Sequence, residues 1–308
     1  MRKQSERGLI LVIALLLVFV KQGECKPLRV VATTTDLAAV ANEVGGGLIN
    51  VEVLSRPEQD PHHFEILPQH VLAVRDADVY LKVGAGLDYW LDDLLTTAEN
   101  SQIIVVDCSQ GVQLIRDEEE EEEHGHGHHE HESGNPHYWV APTNLEMIAG
   151  NITEGLKQAD PAHRAEYVAH LRQFQIRMDS AVTGWKETLR PCTGAGIVTY
   201  HRSWDYLARD FDLRVIGTIE PQPGTEPSPV GLALLERSIQ AENARILLME
   251  PFAPVRLAKL LARDTGIQVV RASPSVGAAG EPMNIFVHVD RLVSEIRAHC
   301  IESTEEHE

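Results

Sequence analysis

Histidine supplies 15 of the 308 residues, and the chemistry-bearing ones fall into two groups. The first is a tract in which Glu118 to Glu123 are followed by H-G-H-G-H-H-E-H, placing His124, His126, His128, His129 and His131 among carboxylates. Neutral imidazole is the commonest metal ligand, and neighbouring carboxylates raise the local cation concentration. The tract has no apolar residue to bury, so it cannot repay its ordering entropy, and it is expected to be a loosely binding, mobile insertion. The second group is dispersed: His62 in D-P-H-H-F-E, His137 in N-P-H-Y-W-V-A-P and His201 in T-Y-H-R-S-W. Each sits where a strand should hand over to a helix, although any one of them alone reads better as a loop or satisfied core histidine.

The elements that would position these residues alternate. Leu28–Thr33, Val51–Leu54, Val79–Val83 and Ile103–Asp107 are short β-branched runs separated by helical stretches, and Gly196–Thr199, Leu213–Ile216, Ile246–Met249 and Gln268–Val270 repeat the pattern. This is the signature of parallel sheets covered by helices, so an α/β protein of two lobes is expected. Ligands of such sheets bind outside the carboxyl ends of the strands, where three junction histidines can converge on one crevice. Between the halves, Asp160-Pro161 signals a helix start, and Tyr167, Leu171, Phe174, Met178, Val182, Trp185 and Leu189 recur at spacings of three and four up to Arg190-Pro191. One long helix should join the lobes. The expected organisation is therefore 1–25 a signal peptide, 26–159 a first lobe carrying the acidic His-rich loop 117–134, 160–190 a linking helix, and 191–308 a second lobe.

Composition removes other classes. Hydrophobic residues at 43% and charged residues at 24% are ordinary for a soluble globular chain. A formal charge of −19 leaves no basic footprint for nucleic acid. Arg2, Lys3 and Arg7 precede an apolar run from Leu9 to Val20, the n- and h-regions of an export signal. That run would rise only about 18 Å as a helix, short of the roughly 30 Å hydrocarbon core, so cleavage near Lys26 is expected rather than a membrane span. Cys25 could in principle carry a lipid, but Glu24 stands where lipid attachment wants a small side chain, and a periplasmic protein without an anchor is the expectation. Export permits disulfides, and Cys192 and Cys300, at the two ends of the second half, could pair and leave Cys108 as a buried thiol. The connectivity is not fixed by sequence.

Taken together and in order, several segments resemble the metal-binding proteins of ABC-type zinc and manganese uptake systems, the cluster A-I solute-binding family. They are V-V-A-T-T-T-D-L from Val30, the D-P-H of His62, D-A-D-V-Y-L-K-V-G-A-G-L-D from Asp76, N-P-H-Y-W from Asn135 and E-P-Q-P-G-T-E-P-S-P from Glu220. The resemblance covers nearly all of the chain after the signal. It implies two α/β lobes bridged by one rigid helix, a metal held between them, a monomer, and an ABC permease as partner. It also implies that His62, His137 and His201 are the metal ligands, with His63 a less favoured alternative to His62. Where the family often adds a carboxylate, this chain has R-A-S-P-S-V-G, with Ser273 or Pro274 at about the position of the Asp.

That departure bears on the metal. Manganese prefers oxygen donors, whereas zinc accepts three imidazoles and a water or mobile carboxylate, so Zn²⁺ is the expected cargo and Mn²⁺ the lesser alternative. Glu281 and Asp290 are further candidates for a fourth donor. One of Glu220, Glu226 and Glu250 could accept the second N–H of a ligating histidine. Ligation needs neutral imidazole, which predicts affinity falling as pH drops through about 6.5. A zinc hydrolase is not indicated, because the chain lacks an H-E-x-x-H helix and a G-x-S-x-G elbow, and no enzymatic activity is expected. A zinc buffer that never meets a permease is the remaining alternative.

Overall fold

The computed structural model describes residues 26–116 and 134–301. The export signal, Cys25 and the His-rich tract with His124, His126, His128, His129 and His131 lie outside these residues. No helix among the described residues is long and apolar enough to cross a membrane.

The first lobe contains β1 (Leu28–Ala32), α1 (Thr35–Gly45), β2 (Ile49–Val53), α2 (Pro68–Arg75), β3 (Val79–Lys82), α3 (Leu91–Ala98), β4 (Ile104–Asp107) and α4 (Leu145–Ala159). The second contains β5 (Gly196–His201), α6 (Asp205–Asp210), β6 (Arg214–Glu220), α7 (Pro229–Ala241), β7 (Ile246–Met249), α8 (Val255–Thr265), β8 (Gln268–Arg271) and α9 (Ile285–Ile301). Each lobe has one four-stranded sheet, with orders β2-β1-β3-β4 and β6-β5-β7-β8. Every pairing is parallel. The central strands explain the β-branched runs: Val79, Tyr80 and Leu81 are buried on both faces, as strands covered by helices on each side must be.

Chain direction reverses cleanly where glycine permits. Gly46 follows α1 at φ 55°, and its N–H caps the helix on the Asn42 carbonyl. A Cβ there would lie 2.9 Å from the His170 ring of the linking helix, so this turn is also a close approach.

Between the lobes runs α5 (Arg164–Leu189), 26 residues long, or about 39 Å at 1.5 Å per residue. It buries Tyr167, Phe174, Met178, Trp185 and Leu189. Leu171 and Val182 pack partly buried on the same core. That core is continuous: it takes Val40, Ile148 and Trp139 from the first lobe and Ile197, Trp204 and Ile296 from the second. A shared core of this kind resists hinge opening, because separating the lobes would expose apolar surface at roughly 25 cal/mol per Å².

Polar ties reinforce the lobe junction. The Val276 N–H donates to Asp36 Oδ1 at 3.0 Å, and Trp139 Nε1–H donates to the Pro274 carbonyl at 3.0 Å. Thr143 gives both its N–H and its hydroxyl to the Asp210 carboxylate, at 2.9 and 2.8 Å. The loop after β8, where a family carboxylate was sought, is therefore committed to holding the lobes together. Asp36 is 1% exposed, and burial pushes its carboxyl up to about 7 against the hydrogen bonds from Val276 and Ser275.

Candidate metal centre between the lobes

Each of the three dispersed histidines is held by a local device. His62 lies in the short helical turn Pro61–His63, where Asp60 Oδ1 accepts the His62 N–H at 2.9 Å and Pro61 occupies the first position. His137 follows β4 after a long excursion. The Asn135 side-chain oxygen accepts both the His137 N–H at 3.0 Å and its Nδ1–H at 2.8 Å. His201 ends β5 directly opposite Glu220 of β6, and its Nδ1–H donates to the Glu220 carbonyl at 2.9 Å.

These bonds fix the tautomers. The Glu220 carbonyl can only accept, so His201 carries its proton on Nδ1. The Asn135 amide is oriented by its other end: Nδ2 donates to the Arg202 carbonyl at 2.8 Å and to Asp205 Oδ2 at 3.2 Å, which leaves Oδ1 for His137. Both imidazoles therefore present Nε2 lone pairs to the cleft. The Nε2 atoms of His62 and His137 stand 3.0 Å apart, and ligand atoms from all three histidines lie within 4.8 Å of one another. Tetrahedral zinc with bonds of 2.0–2.1 Å would hold its nitrogens roughly 3.3 Å apart, so a small side-chain adjustment suffices. The rings stand edge to face or tilted at centroid separations of 4.9, 5.3 and 5.1 Å.

Burial sets the electrostatics. Desolvation, followed by the neighbouring His201, lowers the His62 imidazole to about 4 although Asp60 opposes it. His137, 2% exposed, is driven well below the usual histidine value by burial and then by the other two rings. Burial also lowers His201, with the Glu220 carbonyl opposing. All three are neutral at pH 7, the state a cation requires. The expectation of a loss near pH 6.5 is thus corrected: the donors stay deprotonated to lower pH because they are desolvated.

Other residues weighed from the sequence fall elsewhere. His63 lines the same cavity but stays outside the three-donor cluster, with 65% of its side chain exposed and Nδ1 2.9 Å from Asp60 Oδ2. Among the described residues no fourth His, Cys, Asp or Glu joins the three. Glu281 is engaged by Arg291 and lies 3.4 Å from His288 Nδ1, while Asp290 accepts from Trp185 Nε1 at 2.5 Å. Ser273 donates to the Ser275 carbonyl at 2.9 Å. The second N–H of His201 goes to a backbone carbonyl and not to a glutamate carboxylate. Glu226 pairs with Arg256 at 3.0 Å. Glu220 Oε1 takes the Gly224 N–H at 2.7 Å. Glu250 is fully buried, and burial pushes its carboxyl up to about 7 while Ser203, Trp204 and the His201 backbone act the other way. It lies beneath the turn that presents His201.

Asn135 is the functional residue the sequence reading passed over. It orients His137 of the first lobe while bonding Arg202 and Asp205 of the second, so it couples one candidate ligand to the lobe carrying another. Its signal was the N-P-H order, since Asn before Pro favours a side-chain-to-backbone turn. Replacing Asn135 with Ala should weaken zinc binding about 10- to 100-fold, the usual cost of losing a ligand-orienting partner, with the fold retained by circular dichroism. Unchanged affinity in a calorimetric titration would contradict this role.

The histidines floor a cavity of about 470 Å³ whose rim includes Tyr89, Ile115, Asn135, Arg202 and Gln222. Comparison with known proteins accords with this architecture. A 245-residue stretch is 28% identical to a putative metal-binding protein of Treponema pallidum, covering 79% of this chain and 78% of that one. Another, of 241 residues, is 25% identical to the high-affinity zinc uptake system protein ZnuA of Bacillus subtilis, covering 78% and 76%. The chain also matches the zinc-binding lipoprotein AdcA of Streptococcus pneumoniae at 26% identity, but spans 51% of its length. Among solved structures, a crystal structure of ZnuA superposes with a TM-score of 0.77 at 24% identity, covering 89% of this chain and 100% of that one. FpvC of Pseudomonas aeruginosa in complex with Mn²⁺ gives 0.76 at 21% identity, covering 90% and 100%, a likeness of fold. The family model for the periplasmic zinc-uptake complex component A matches residues 30–298, and the chain belongs to that family.

Proposed function

We propose that this protein is an exported, periplasmic zinc-capture protein that binds one Zn²⁺ through His62, His137 and His201 and hands it to an ABC permease. The observation that carries the reading is the convergence of three desolvated, neutral imidazoles, the buried His137 and the half-buried His62 and His201, two from the first lobe and one from the second. Nitrogen donors with no protein carboxylate among the described residues favour zinc over manganese, whose preference is for oxygen. Water would complete a four-coordinate zinc.

Delivery is tested by adding the loaded protein to vesicles containing the cognate permease and ATP. Zinc should accumulate with wild type and not with His201→Ala. Tight binding without docking or accumulation would make the protein a buffer instead.

The His-rich tract is proposed to act as a low-affinity collector. Its attachment points support this: the Asn135 N–H donates to the Ile115 carbonyl at 2.8 Å, and both residues line the cavity mouth. Tyr206 fastens that base to the second lobe, accepting the Ile115 N–H at 2.9 Å and donating to the Asn135 carbonyl at 2.6 Å. Deleting Glu118 to Glu132 should leave tight 1:1 zinc binding within about twofold while removing weaker additional equivalents. Loss of the tight site on deletion would refute the collector role.

A further inference from the structure

The linking helix and the last helix meet at two cysteines. Cys192 lies in the turn Arg190–Cys192 that follows α5, 1% exposed. Cys300 lies on the last turn of α9, half-buried against the same core. The last helix packs directly against the turn Arg190–Cys192, the two thiols are hydrogen-bond partners, and burial followed by this neighbour pushes the Cys192 thiol up to about 12. The third described cysteine, Cys108, is fully buried in the first lobe, where burial and the nearby carboxylates of Asp88 and Asp107 hold its thiol well above the usual value.

We infer that Cys192 and Cys300 form a structural pair that a small or protein disulfide donor converts to a disulfide, stapling the end of the linking helix to the C-terminal helix. The more accessible Cys300 would lose its proton and attack the donor disulfide, forming a mixed disulfide and releasing one donor thiolate. Cys192 would then lose its proton and attack the Cys300 sulfur, displacing the second donor thiolate. Two protein thiols are oxidised and one donor disulfide is reduced to two thiols. The resulting ring encloses β5 to β8, the whole sheet that carries His201, so the staple stabilises the second lobe as a unit. Neither sulfur is among the converging metal donors, so the staple acts on stability and leaves the zinc site alone. The exchange suits an oxidising compartment.

The test is peptide mapping of the full protein after treatment with oxidised glutathione, with free thiols blocked before digestion. A linked species joining the tryptic peptides that contain Cys192 and Cys300 is expected, with Cys108 found as a blocked free thiol. Closing a loop of roughly 110 residues predicts that reduction lowers Tm by about 10 °C. The Cys192→Ser/Cys300→Ser variant should match the reduced protein and bind zinc like wild type. Recovery of Cys192 and Cys300 as blocked free thiols, or linkage of either to Cys108, would overturn the pairing. A linked pair with no change in Tm on reduction would overturn the stapling role. Because zinc binding is read separately, failure of the metal assignment would leave this result standing.

Discussion

Replacing His201 with Ala should reduce zinc affinity by about 100-fold or more, and His137→Ala should do the same. Structural zinc sites contribute roughly 10–16 kcal/mol through four ligands, so one ligand carries roughly 3 kcal/mol, a little over two decades. The loss should be as large for His201 as for His137 although they belong to different lobes, because in the proposed site their Nε2 atoms address one ion. His63→Ala is the matched control. Its ring lies beside Asp60 and outside the three-donor cluster, and its removal should change affinity by less than about threefold. A titration showing loss in His63→Ala and not in His201→Ala would mean that the metal sits at the rim.

Zinc affinity should persist below pH 6.5, where free imidazoles would already compete for protons, and be lost at lower pH as the three rings are protonated, His62 at about 4. Protons compete with the metal only when they can bind the free imidazoles, and burial lowers His62 to about 4, with His137 also well below and His201 below the ordinary value of 6.5. Once all three titrate, affinity can fall by as much as 1000-fold per pH unit, because three protons must leave for one ion to enter. The same shifts bear on folding of the apo protein. An unfolded chain takes up protons on these histidines below about pH 6.5 more readily than the folded one, so apo stability declines as pH falls below 6.5. A zinc-release midpoint near 6.5 would instead describe three solvated imidazoles.

The frame of the protein was legible because its signals are local or periodic. The β-branched runs from Leu28, Val79 and Ile246 became central strands, and the stripe from Tyr167 to Leu189 became the linking helix, since spacing of three and four is itself the helix surface. The junction histidines were legible for a related reason: parallel sheets put the residue after a strand at the ligand-binding end. Asn135 reaching Arg202, Asp36 receiving the Val276 N–H and Trp139 bonding Pro274 were not legible. These contacts join residues 67 to 240 positions apart, and nothing local marks such partners. The error over pH has the same origin. The sequence shows that an imidazole is present, but desolvation depends on what the rest of the chain packs over it.

The proteins of known structure with this fold include both ZnuA and a Mn²⁺ complex, so the donor set has to decide the cargo. In an octahedral manganese site, three imidazoles would leave half the coordination to solvent, whereas in tetrahedral zinc they leave one position. The proposal of zinc rests on the second case.

Competitive titration of the protein with Zn²⁺ and Mn²⁺, beside His201→Ala and the deletion of Glu118 to Glu132, tests this most directly. The account predicts one tight zinc per chain, weak competition by manganese, survival of that site in the deletion, and its collapse in His201→Ala. Effective competition by manganese, or tight zinc binding that disappears with the deletion and persists in His201→Ala, would contradict it.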